Sequence, residues 1–269
     1  DTISPSITAP SAVTLSLGAG GSVTLPGNTA SASDNCGATT LTYSETSFNC
    51  SDIGTTNVVV TATDANGNDS EATIAVTVQD VTNPTLALVS SGITLALDAN
   101  GSTSLTTSQI VSSVSDNCSG VTVSVSPSSF GCSDLGSNTV TVTATDASGN
   151  TTVETGTVTV VDLIAPAITT VSSAVTTYLN GSGVATISQS DVVATTTDNC
   201  TLAPTVSLSA TSFSCSEVGS NTITITATDG SGNSSTATKN VVVMDTISPS
   251  ITAPSAVTLS LGAGGSVTL

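Results

Sequence analysis

The run from Asp116 to Asn150 decides the fold. It opens with Asp116-Asn-Cys118, passes through Val121-Thr-Val-Ser-Val-Ser126 to Phe130-Gly-Cys132, and turns at Ser133-Asp-Leu-Gly136. It then enters Thr139-Val-Thr-Val-Thr-Ala-Thr145 and closes on Asp146-Ala-Ser-Gly-Asn150. Alternation of Val with Thr gives a strand one apolar and one hydroxyl face, because successive side chains point to opposite sides of a sheet. Branching at Cβ suits that pleated surface. The Asp-x-x-Gly-Asn ending supplies the positive φ and the side-chain-to-backbone bonds of a hairpin turn.

The same cassette recurs at 34–68 and 198–233. Each copy is preceded by an Asp with Pro four residues on, Asp1/Pro5, Asp80/Pro84 and Asp162/Pro166, and the pair occurs once more at Asp245/Pro249. Proline fixes φ and extends its predecessor, so these are read as short, stiff connectors. The chain therefore divides into repeats at 1–79, 80–161 and 162–244, with 245–269 the start of a further repeat. Residues 1–25 recur identically at 245–269, a longer period of 244 residues. That identity leads us to expect a segment of a longer chain, with export and anchoring signals elsewhere. No apolar run is long enough for a membrane-spanning helix.

Within each unit the expected strands follow one order. Ala12–Leu17 and Ser22–Leu25 flank Gly18-Ala-Gly-Gly21 and read as a tight hairpin. Ser108–Ser115 and Ser188–Thr197 read as irregular, and helix signals are absent throughout. Phe48, Phe130 and Phe213 are the only phenylalanines, each two residues before a cysteine, which marks them as core. Ile74–Val78, Thr157–Val161 and Asn240–Met244 are the closing strands. Short strands with frequent turns, in units of about 80 residues, predict an all-β fold: tandem immunoglobulin-like β-sandwich domains in an extended array.

Composition removes several functions. Net charge is −18, with Lys239 the single basic residue against 19 acids, so nucleic-acid binding is excluded and attraction to anionic lipid is disfavoured. Histidine is absent, so neither a Ser-His-Asp nor a Cys-His arrangement can be built, and the chain is read as non-enzymatic. Aromatics are 2% of residues, which leaves little for a sugar-stacking platform. The six cysteines fall as one pair per repeat, Cys36/Cys50, Cys118/Cys132 and Cys200/Cys215. Without His or Cys-x-x-Cys they read as intradomain disulfides, each worth about 3 kcal/mol, in an extracellular, oxidising setting. Crosslinking between molecules is the competing reading.

Carboxylates and side-chain amides gather where the topology would bring loops to one pole: Asp1, Asp34, Asp64, Asn66 and Asn68; Asp80, Asp116, Asp146 and Asn150; Asp162, Asp198, Asp229 and Asn233. Such oxygen donors suit Ca²⁺, which takes six to eight of them, and an ion at each domain junction is a candidate cofactor. The competing reading makes the same residues turn formers.

The order Asp-Asn-Cys, Phe-x-Cys, Gly turn, alternating strand and Asp-x-x-Gly-Asn resembles the hyalin-repeat module. It is similar to the disulfide-bearing form found in tandem in giant cell-surface adhesins of Bacteroidetes, including those of flavobacterial gliding motility. That resemblance spans all three repeats. It implies type 9 secretion, display at the cell surface, and a stalk that projects an adhesive tip. Neighbouring repeats are then the direct partners. Surface polysaccharide and the motility or secretion machinery would be reached through other regions. The alternative function is a multivalent module that binds carbohydrate or protein weakly at each repeat.

Overall fold

The computed structural model of the chain describes residues 1–253, 255–261 and 263–265. Repeat one contains β1 (Ser6–Thr8), β2 (Ala12–Ser16), β3 (Ser22–Thr24), β4 (Ser31–Ser33), β5 (Thr40–Tyr43), β6 (Ser47–Asn49), β7 (Gly54–Thr63) and β8 (Asp69–Gln79). One sheet has the order β2-β8-β7-β5, and the pairs β1-β4 and β3-β6 make the facing layer. Repeat two repeats the plan with β9 (Thr85–Leu88), β10 (Ile93–Ala96), β11 (Ser102–Ser104), β12 (Val111–Ser115), β13 (Thr122–Ser126), β14 (Ser129–Gly131), β15 (Gly136–Thr145) and β16 (Thr151–Val161). Repeat three does so with β17 (Ala167–Thr170), β18 (Val175–Tyr178), β19 (Val184–Thr186), β20 (Val193–Thr197), β21 (Thr205–Leu208), β22 (Ser212–Ser214), β23 (Gly219–Thr228) and β24 (Ser234–Met244). All three are immunoglobulin-like β-sandwiches. The chain forms two compact units, Asp1–Asp162 and Leu163–Leu269.

The alternating strands bury the face their pattern marks. Val58, Val60 and Ala62 on β7 and Ile74, Val76 and Val78 on β8 are 0–1% exposed, while Val59, Thr61, Ala75 and Thr77 between them are half-buried on the other face. Phe48, Phe130 and Phe213 are all buried, so the aromatic before the second cysteine is core in every repeat. Each fully buried side chain of this size contributes about 1.5–3 kcal/mol by leaving water.

Two expectations need correction. The opening strands do not form a hairpin: β2 runs parallel to β8, whereas β3 pairs with β6 in the other layer. Gly18–Gly21 thus carries the chain from one sheet to the other. Helices are not absent either: α1 (Thr107–Ile110) and α2 (Gln189–Val192) are single turns inside the stretches read as irregular. Capping boxes start them, with Thr106 N–H donating to Gln109 Oε1 at 2.8 Å and Ser188 N–H to Asp191 Oδ2 at 2.6 Å. The start of a fourth repeat at 245–269 lies partly outside the described residues, and among the described ones no strand follows Met244.

The helical turns explain a compensation in the core. Ala30, Ile110 and Val192 are the buried residues just before β4, β12 and β20. Opposite strand residues Val58, Val140 and Ile223 stand Ile74, Gly156 and Lys239. A Cβ on Gly156 would meet Ile110 Cδ1 at 3.1 Å, so the larger helical residue takes the volume that Ile74 fills in repeat one. In repeat three Lys239 sends its Nζ to the Val171 carbonyl, burying its stem beside the core.

Asp191 makes α2 sensitive to acid. Hydrogen bonds from the Ser188 backbone and side chain hold its carboxyl below the usual carboxylate range. A depressed folded-state value means the stabilisation is present above the unfolded-state value and is lost as pH falls through the folded one. Asp191→Asn should therefore lower the melting midpoint at pH 7 and leave it unchanged near pH 2. A difference independent of pH across that range, read by thermal scans, would refute the charged cap.

Candidate functional site

Strand directions decide which cysteines can meet. β2 and β8 run the same way, β7 opposes β8, and β5 opposes β7, so β5 runs with β2. The turn after β2 reverses the chain into β3, and β6 opposes β3, so β6 also runs with β2. Residues 36 to 50 are therefore one traverse of the sandwich through β5 and β6. Cys36 sits at the entry pole and Cys50 at the exit pole.

The expected pair Cys36/Cys50 cannot close, and the structure instead joins Cys50 to Cys118, with a Cα separation of 5.6 Å and a sequence separation of 68. Cys118 opens the corresponding traverse of repeat two, so the exit pole of one repeat is bonded to the entry pole of the next. The expected pairs Cys118/Cys132 and Cys200/Cys215 fail with it: Cys118 is already bonded and Cys215, like Cys36, is a free thiol. Cys132 and Cys200 are not among the free thiols. The extracellular reading survives, but the covalent link belongs to the junction rather than to a single domain.

Polar contacts surround that link. Asn117 Nδ2 donates to the Gly18 carbonyl and to Asp80 Oδ1, both at 3.2 Å. Gly21 has φ of +70°, and a Cβ there would lie 2.6 Å from the Asn117 carbonyl oxygen and 3.0 Å from Cys50 Sγ. Glycine at position 21 is thus required twice, for its conformation and for the approach of the next repeat. Sequence reading took it for a hairpin glycine. The single-traverse argument, applied to the cysteine spacing, would have found its second task.

The acids expected to share a pole do so. Asp80, Asp116 and Asp146 present carboxylate oxygens within 4.8 Å of one another, as do Asp1, Asp34 and Asp64. Asp80 and Asp146 are each 6% exposed. Backbone placement is by turns: Asp116 Oδ2 accepts from Cys118 N–H at 3.0 Å, and Asp80 Oδ1 from Thr82 N–H at 3.0 Å. Asp146 Oδ1 accepts from the Ser148 and Asn150 amides at 2.9 and 2.8 Å. Burial pushes the Asp146 carboxyl up, yet bonds from Asn150, Ser148 and Gly149 outweigh it and hold it below its ordinary value.

The asparagines make hydrogen bonds of their own at each pole. Asn68 and Asn150 turn their Nδ2 donors toward Asp64 Oδ2 and Asp146 Oδ2, each at 2.7 Å. The same groups reach the connector carbonyls of Asp1 at 3.3 Å and Asp80 at 3.1 Å. They hold the turn aspartate and clamp the incoming chain. Asn66 enters through its backbone N–H, which donates to Asp64 Oδ1 at 2.8 Å. In repeat three Asn233 Nδ2 binds Asp229 Oδ2 at 2.8 Å, and Asp198 Oδ2 accepts from Cys200 and Thr201 amides at 3.0 and 2.7 Å. Asp162 is buried at 5% exposure. The turn-forming reading and the ligand reading of these aspartates are therefore compatible.

No family model matches the chain, and no curated protein matches it. Among solved structures, Protocadherin Gamma B2 extracellular cadherin domains 1–5 align with a TM-score of 0.34 at 14% identity, over 91% of this chain and 60% of that one. Mouse Cadherin-23 EC22–24 aligns at 0.33 and 15% identity, over 90% and 99%. Sidekick-1 immunoglobulin domains 1–5 align at 0.38 and 12%, over 91% and 60%. The chain thus spans about three fifths of the first structure's length. At such scores the likeness carries no argument about activity or partners. Among the described residues no helix is long and apolar enough to cross a membrane.

Proposed function

We propose that the chain is a structural stalk segment of a large repetitive cell-surface adhesin, holding an adhesive tip away from the surface and carrying load along the chain. The observation that carries this reading is the Cys50–Cys118 bond, which ties consecutive repeats covalently. A disulfide also belongs to an oxidising, extracellular setting. A module selected to bind ligands one repeat at a time has no need of such a tie, whereas a load-bearing segment does. The hyalin-repeat-like cassette and its setting in Bacteroidetes surface proteins, with export by type 9 secretion and a part in gliding, belong to this proposal. The spacer has no catalytic role.

Beads coated with the chain alone test it. They should pass over polysaccharide- and protein-coated glass without being held, because adhesion is assigned to a tip outside these repeats. Retention above that of beads carrying an unrelated acidic protein would overturn the spacer reading in favour of weak multivalent binding by the repeats.

A further inference from the structure

We propose that Asp80, Asp116 and Asp146 bind a calcium ion at the entry pole of repeat two, with Asn117 as a neutral oxygen donor. The inference concerns the ion alone and stands whether or not the spacer reading holds. Three carboxylates within 4.8 Å of one another do not by themselves make a site. The second observation is what their oxygens lack. Asp80 is 94% buried by its exposure of 6%, and its Oδ2 has no hydrogen-bond partner. Asp116 Oδ1 and Asn117 Oδ1 are likewise buried and unpartnered. Buried acceptors left bare are rare in folded proteins, because losing water without a replacement is costly. Two of them on the acidic cluster and a third on the residue next to Asp116 mark a place where a positive partner belongs.

The protein has no side chain to offer as that partner. Its single basic residue, Lys239, lies in β24 and donates to the Val171 carbonyl. An ion from solvent has to supply the charge. The donors are all hard oxygens, without His or thiolate, which selects calcium or magnesium over zinc and copper. Carboxylates fixed by separate turns, a connector and an amide make an irregular donor set. Calcium accepts such a set, whereas magnesium demands near-octahedral geometry and keeps most of its waters. Because Asp80 belongs to the connector and Asn117 also holds the Gly18 carbonyl of repeat one, the ion would fix the junction that the disulfide closes.

The test is calorimetric titration of the full, unreduced chain with CaCl₂, beside Asp80→Asn and Asp116→Asn. Each variant should bind one calcium fewer per chain, while Glu154→Gln, an exposed strand acid, should bind as the parent does. A millimolar concentration should raise the parent's melting midpoint by about 1–6 °C over chelator, if affinity is that of extracellular calcium modules. Folding of the variants is checked by their free thiols, which should remain Cys36 and Cys215. If Asp80→Asn fails that check, Asp116→Asn decides. An unchanged stoichiometry in the folded variants, no binding by the parent, or equal binding of MgCl₂ would overturn the assignment.

Discussion

Pulled from its ends without reductant, the chain should withhold about 230 Å of contour that the double variant Cys50→Ser/Cys118→Ser releases. The bond spans a sequence separation of 68, and each residue extends by at most ~3.3–3.6 Å. Under load the force therefore crosses from Cys50 to Cys118 directly and bypasses β7, β8, the Asp80 connector and the strands of repeat two before Cys118. The pairing expected from cysteine spacing would instead hide two short loops of about 50 Å each, so the size of the released step separates the two arrangements. Equilibrium stability should follow. Closing a loop of this length removes about 4 kcal/mol of denatured-chain entropy, and for a unit of this size that corresponds to a fall of roughly 10–15 °C in the double variant. Thiol labelling of the denatured, unreduced parent should find Cys36 and Cys215. Labelling at neither, with a released step near 50 Å, would return the disulfides to the interior of each repeat.

That reversal shows where sequence reading stopped. The alternating Thr139–Thr145 strand, the buried phenylalanines and the Asp146–Asn150 turn were legible because each is a local pattern with one physical solution. Cysteine pairing is not local. A loop of 13 residues looks well suited to closure until the strands it contains are given directions, and those depend on β2 lying parallel to β8 across the whole repeat. The Gly18–Gly21 turn misled for the same reason: the same glycines serve a hairpin or a change of sheet. Ser188-Gln-Ser-Asp191 did carry a helix-start signal, hidden by its brevity and its serine-rich surroundings. The acidic pole could be assembled from the sequence because each acid adjoins a connector or turn at a fixed end of the sandwich. What could not be read there was that the connector aspartate would be buried with a bare oxygen.

Phe48→Ala should be the most damaging single core substitution in repeat one, at about 3–5 kcal/mol. Phe48 is 0% exposed and sits in a cluster with Leu15, Leu25, Val58, Val60 and Ile74. Aliphatic neighbours of that kind cannot collapse into a ring-sized void without leaving their rotamers, so most of the cavity would persist. Tyr43, the other aromatic near this core, is tied through its hydroxyl to the Ala30 amide and the Gly27 carbonyl and cannot swing in without breaking both. Phe48→Leu keeps most of the volume and should lose about a third as much. Because Leu163–Leu269 has a core of its own, denaturant unfolding of Phe48→Ala should split into two transitions, with only the earlier one displaced. Tyr178→Ala, at a side chain 56% exposed, should move neither. Loss confined to the later transition, or below 1 kcal/mol, would remove Phe48 from the centre of the core. For a load-bearing chain the consequence is direct: a repeat built with one phenylalanine ruptures first when that residue is lost, and the Cys50–Cys118 bond then limits how much chain the rupture can release.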